Sequence, residues 1–244
     1  MNPTVIKSMK PIITVALAGV VSCFVTGCET TGLSLREHSG VDYPGYVLSL
    51  RPSNSRIVAN KVAPPIRLAV AQIGESAPPR KMLEDLQQRT DLITSVISLP
   101  LPGEATRSYG YNNTPEKAPD YAGRIQTVCQ LAQASGADYI FLFGGNMDTW
   151  SKASQLSLLD ITIIGGVLIP STEINLEGKG AGVLIDAATG QPVFFVNTEN
   201  KLSKYTPDFL QDDKKTELMV QGRDDLVQKT TDEFLRQLAS QRSK

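Results

Sequence analysis

The chain has 244 residues, with 24 basic and 25 acidic side chains, three cysteines and a single histidine. Such an even charge balance implies no basic face, which argues against nucleic acid as a partner. One histidine rules out a histidine-rich metal site, and 41% apolar with 20% charged residues is ordinary for a globular chain.

Lys7 and Lys10 supply a short positive region, and Ile12 to Val25 an almost uncharged apolar run that closes on small residues. This is the anatomy of a secretory signal peptide. The run is shorter than the about 20 apolar residues that a transmembrane helix needs. Val25-Thr26-Gly27-Cys28 resembles the lipobox of bacterial lipoproteins. That resemblance implies cleavage of residues 1–27 and lipidation of Cys28. Val20-Val21-Ser22-Cys23 is a competing site, but Gly27 is the smaller residue before cleavage and a polar Glu29-Thr30-Thr31-Gly32 follows Cys28. Several acyl chains on one cysteine hold a protein firmly on the membrane. In enterobacterial lipoproteins an Asp after the cysteine favours the inner membrane. Glu29 stands here instead, which implies the outer membrane, facing the periplasm, in a Gram-negative source. With Cys28 lipidated, Cys129 is alone in the mature chain and has no intramolecular disulfide partner.

Residues 28–66 read as a tether punctuated by Gly40, Pro44, Gly45, Pro52, Pro64 and Pro65, and His38 lies in it. Within it, Tyr43 to Leu50 could pack onto the domain as a short arm. A single domain is expected over 67–244. Arg67 to Ile73 alternates and is β-prone, hence the first strand. From Arg80, a helical period runs through Met82, Leu83, Leu86 and Ile93. Ser95 to Leu99 is the second strand, and Glu104 to Pro119 a polar loop carrying Tyr109 and Tyr111. Asp120 is placed to cap a helix whose stripe comprises Tyr121, Ile125, Val128, Cys129 and Ala132. Cys129 on that stripe reads as a buried structural thiol. Gly136 closes the helix, and Asp138 to Gly145 follows as the most hydrophobic strand.

Trp150 to Leu202 reads as strand throughout. It includes an apolar stretch from Leu156 to Ile169, then Val183 to Ile185, a turn at Asp186 to Gly190, and Pro192 to Val196. Glu177-Gly178-Lys179-Gly180-Ala181-Gly182 lacks phosphate-loop spacing and reads as a flexible hairpin turn. A last helix runs from about Thr216 to Ser240. The order β-α-β-α-β-β-β-β-α predicts an α+β domain: a mixed sheet, antiparallel C-terminal hairpins, and helices packed on one face.

Ala134-Ser135-Gly136-Ala137-Asp138-Tyr139-Ile140 resembles the helix, Gly-Ala-Asp, strand junction of the TolB N-terminal and curli-secretion-channel (CsgG-like) lipoprotein families. Gly182 to Val193 resembles their strand, Asp, Thr-Gly turn, strand hairpin. With Leu158 to Pro170, it also resembles the rhombotarget lipoproteins. The resemblance spans residues 67–202 and implies fold more than function. Channel-forming relatives cross membranes with strands of about 9–11 alternating residues. Ser157 to Ile164 alternates only in part before Gly165-Gly166.

No triad can use a histidine located in the tether, no cysteine pair has zinc spacing, and Asp208, Asp212 and Asp213 suit a helix N-terminus. Neither enzyme activity, cofactor nor metal is expected. The sequence implies a lipid-anchored envelope protein that binds a protein partner. Tyr109, Tyr111 and Trp150 are its aromatic contact candidates. The alternative is an oligomeric subunit of a curli-channel-like export complex.

Overall fold

A computed structural model describes residues 43–50, 62–101, 121–153, 172–207 and 210–242. Cys28, His38, Tyr109, Tyr111, Asp120 and the apolar stretch 156–169 lie outside the described residues. Ile66–Gln72 forms strand β1, buried at every position but Arg67, and it starts one residue before the expected domain boundary. Pro79 precedes helix α2, Arg80–Gln87, whose Met82 and Leu86 share one buried face. The expected period ended at Ile93. That residue instead opens strand β2, Ile93–Ser98, and pairs with Ile66 of β1. Helix α1, Tyr43–Ser49, lies in the segment read as tether, and its Val47 is fully buried against the sheet.

Helix α3, Tyr121–Ala134, ends as its sequence dictates. Gly136 takes φ +80°, Gly136 N–H donates to the Gln133 carbonyl (2.9 Å), and Ala137 N–H donates to the Ala132 carbonyl (2.9 Å). These are the two closing bonds of a Schellman cap, and buried Ala132 and Ala137 supply its apolar contact. Three long strands follow: β3, Tyr139–Ala153; β4, Thr172–Asp186; and β5, Pro192–Thr206. Helix α4, Gln211–Gln241, completes the described elements.

The sheet order is β2-β1-β3-β4-β5, with β2, β1 and β3 parallel and β3, β4 and β5 antiparallel. This is the expected mixed sheet of an α+β domain with antiparallel C-terminal hairpins. The helices do not share one face. Leu68, Val70, Phe141 and Leu184 pack with α2 and α4, whereas Ala69, Ala71, Ile140 and Val183 pack with α1 and α3. Topology gives the reason. The β1-α2-β2 crossover moves outward and the β2-α3-β3 crossover moves back past β1, so two right-handed connections place their helices on opposite faces.

The stretch Glu177 to Gly182, read from sequence as a turn, lies within β4. Gly178 pairs with Met147 and Asn200, and Gly182 with Phe143 and Val196. A side chain is missing here because neighbours occupy its place. A Cβ on Gly182 would lie 2.5 Å from the Phe141 ring, and one on Gly178 would lie 2.1 Å from Asn200 Oδ1. Buried Asn200 in turn donates from Nδ2 to the Gly222 carbonyl of α4 at 2.6 Å. Thr198 and Thr230 hydroxyls meet at 2.8 Å on the same seam. Fifteen strand residues span about 50 Å at about 3.3 Å each. The 31-residue α4 covers about 46 Å at about 1.5 Å each, so helix and strand match in length.

Candidate partner-binding surface

β1 pairs with β3 only as far as Gln72 opposite Phe143. Beyond that point β3, β4 and β5 continue as a three-stranded ribbon. Because side chains alternate along a strand, Ile174 and Leu176 face α4 while their neighbours face the other way. The outward face carries Asp148, Trp150 and Lys152 on β3, Glu173, Asn175 and Glu177 on β4, and Lys201, Ser203 and Tyr205 on β5. Register aligns Trp150 with Asn175 and Ser203, and Lys152 with Glu173 and Tyr205.

Trp150 is a residue of strand β3, at the start of the stretch that reads as strand from sequence. Its side chain is 40% exposed, and Tyr205 is 58% exposed on the same face. Their Cα atoms are two strands and two residues apart, which sets them about 12 Å from one another. Sequence reasoning passed over Tyr205. Its signal was present in Asn197, Glu199, Lys201, Ser203 and Tyr205, a period-two series of polar positions ending in an aromatic. Between these rings lie the polar Asn175, Ser203, Lys152 and Glu173, and one row beyond Trp150 Lys201 Nζ lies 3.4 Å from a Glu177 carboxylate oxygen.

The family-like motifs perform structural work. Arg67 binds Asp138 through two parallel bonds, Nε to Oδ2 at 3.0 Å and Nη2 to Oδ1 at 2.6 Å, which ties β1 to β3. The hydrogen bond from Arg67 holds the Asp138 carboxyl below its ordinary range. Asp186 Oδ1 accepts from Ala188 and Thr189 N–H at 2.9 and 3.0 Å, and Gly190 closes that turn at φ +68°. Gln133 donates from Nε2 to the Ala187 carbonyl. A cleft of about 550 Å³ lies among these groups, yet Arg67, Gln133, Asp138 and Asp186 are all engaged with one another or with backbone. Cys129 lies on the buried face of α3, and burial raises its thiol pKa, with Asp186 adding to the effect.

No protein-family model matches the chain, and a search of curated proteins finds no match. Several solved structures show a remote likeness. The PelC dodecamer from Paraburkholderia phytofirmans is 11% identical, with 65% of this chain and 85% of that one covered at a TM-score of 0.26. Lipoprotein B from Nitrosomonas europaea is 13% identical, with 71% and 83% covered at a TM-score of 0.30. Likeness this remote carries no argument about the chain. The surface must be judged on its own chemistry.

On that basis the outward ribbon face is the best candidate. Among the described residues no group of three or more His, Cys, Asp or Glu is placed to hold a metal ion. No described helix is long and apolar enough to cross a membrane.

Proposed function

We propose that this chain is a non-enzymatic lipoprotein of the bacterial cell envelope. In this reading Cys28 carries the lipid on the outer membrane, facing the periplasm, and the α+β domain binds a protein partner there as an accessory or assembly factor. The observation that carries the binding half is the pair Trp150 and Tyr205, both exposed on one polar ribbon face. Trp and Tyr are enriched among residues that dominate binding energy, and a surrounding polar rim is the usual setting for them. Tyr109 and Tyr111 join this reading on sequence grounds. The anchor half rests on the Val25 to Cys28 sequence.

The test is gentle extraction of the lipidated protein from membranes, with native mass measured for the wild type and for Trp150→Ala. A stoichiometric second protein that is lost from the variant supports the proposal. A homogeneous ring of many copies overturns it in favour of an oligomeric export subunit. Labelled palmitate should enter the wild type and not Cys28→Ala. Incorporation into that variant would transfer the anchor to Cys23.

A further inference from the structure

β5 is an edge of the described sheet, pairing with β4 alone. A cleft of about 370 Å³ runs beside it, lined on the strand side by the consecutive residues Asn197, Thr198 and Glu199. Consecutive strand residues point to opposite faces, so a cleft touching all three lies along the strand's edge. Its other wall is Lys229, Asp232, Glu233 and Arg236 of α4. Their spacing of three, four and seven residues from Lys229 is one helical stripe. A strand edge bordered by a parallel helix wall is the arrangement in which an extended peptide adds a strand.

The charges discriminate between occupants. Lys229 Nζ is held by Asp225 at 2.8 Å, and Arg236 binds Glu233 through two bonds of 2.6 and 2.7 Å. Asp232 accepts only from the neutral Gln228 amide, at 3.0 Å. Glu199 and Asp232 are joined to no basic side chain among the described residues. Both cations on the wall are thus paired, and although Lys179 stands cross-strand from Glu199, the cleft lining itself holds three carboxylates (Glu199, Asp232, Glu233) against two cations.

We propose that the β5–α4 cleft receives an extended, basic segment of a partner protein as a sixth strand. Neighbouring residues of that strand point to opposite faces, so one Lys or Arg meets Glu199 and the next meets Asp232. This assignment rests on the partner-binding reading but uses a different surface from the Trp150 face.

The probe is a labelled synthetic peptide of about ten residues, strand length, alternating Thr and Val with two adjacent central lysines. A glutamate counterpart serves as its comparison. Fluorescence anisotropy against the full lipidated protein in detergent should show the lysine peptide binding about tenfold tighter, as two exposed ion pairs allow. The Glu199→Lys/Asp232→Lys variant, altered only at exposed positions, should fold normally and reverse that preference. Hydrogen exchange of β5 amides should slow when the peptide binds. Equal affinity for the two peptides, a preference that survives the double variant, or unchanged β5 exchange overturns the assignment. Slowing of β5 exchange with protein concentration alone assigns the edge to a second copy and likewise overturns it. Partner loss in Trp150→Ala with no lysine-peptide preference refutes the cleft alone. Preserved partner binding in Trp150→Ala with a charge-dependent cleft refutes the Trp150 face alone.

Discussion

Gly182→Ala separates a mid-strand glycine from a turn glycine by the sign of its effect. The new Cβ would lie 2.5 and 2.6 Å from Phe141 Cε2 and Cζ. Carbon atoms pack best at about 3.5–4.0 Å, so the ring must retreat by about 1 Å. It has nowhere to go: Phe141 is fully buried, with the Phe234 centroid at 4.2 Å and the Phe143 centroid at 5.6 Å. Overpacking of this kind costs about 1–3 kcal/mol. Restricting the unfolded chain returns about 0.4–1 kcal/mol, and with a ring that cannot retreat the cost lies towards the upper end of its range, which leaves a net loss of up to about 2.6 kcal/mol. Urea unfolding followed by far-ultraviolet circular dichroism should show a lower midpoint with an unchanged slope. Melting should fall by about 2–4 °C for each kcal/mol. A flexible turn would instead be stabilised by the substitution. A Gly182→Ala protein as stable as the wild type, or more stable, would refute the packing argument. Gly190→Ala provides the contrast. It has open space around it but φ +68°, so its loss of about 1–2 kcal/mol comes from backbone conformation alone.

Three further outcomes follow from the core and the ion pairs. Phe234→Ala removes a fully buried ring that contacts both Phe141 and Phe194, and should cost about 3–5 kcal/mol in the same unfolding assay. The Glu217 carboxyl is lowered to about 2 by hydrogen bonds from Lys204 and Lys214, each at 2.7 Å. Because its folded value lies below its unfolded one, its contribution is present above the ordinary carboxyl range and is lost as pH falls towards about 2. The small stability gap between wild type and Glu217→Gln should therefore narrow over that range, as read from urea midpoints at successive pH values. Cys129, buried and with a raised pKa, should react with a thiol reagent only as fast as the protein opens. Rapid labelling of the native protein would contradict its placement on the covered face of α3.

The elements that could be read from sequence are those whose shape is fixed locally. Arg67 to Gln72 is β-prone along its length, Gly136 ends α3, and Asp186 to Gly190 turns the chain through its own side chain and a left-handed glycine. The Glu177 to Gly182 stretch could not be read this way. Glycines among charges resemble a turn, but these are small because Asn200, Phe141 and Leu226, distant in sequence, fill the space beside them. The helix faces lay between these cases. Element order alone left α3 free to join α2, and only the position of β1 between β2 and β3 forces the two apart. Trp150 reads as strand from sequence, but the face it shares with Tyr205 does not, because that face depends on the in-register pairing of both strands with β4.

The length of α4 bears on the function of the ribbon. A three-stranded ribbon extending past the parallel strands has two faces to cover, and α4 covers one over nearly its full length. The opposite face solves the problem with polar side chains, as a half-solvated antiparallel sheet should. Glu177 and Lys201 serve that purpose and require no partner. Trp150 and Tyr205 do not serve it. A single exposed ring is commonplace on a protein surface. Two on one face of a ribbon backed by a 31-residue helix are held at a fixed backbone spacing, so docking need not order the strands that carry them. The helix that buries the ribbon's inner face thus also makes its outer face suitable for recognition. The same helix forms the wall beside β5, so both proposed surfaces depend on one packing seam: Asn200 to Gly222 and Thr198 to Thr230.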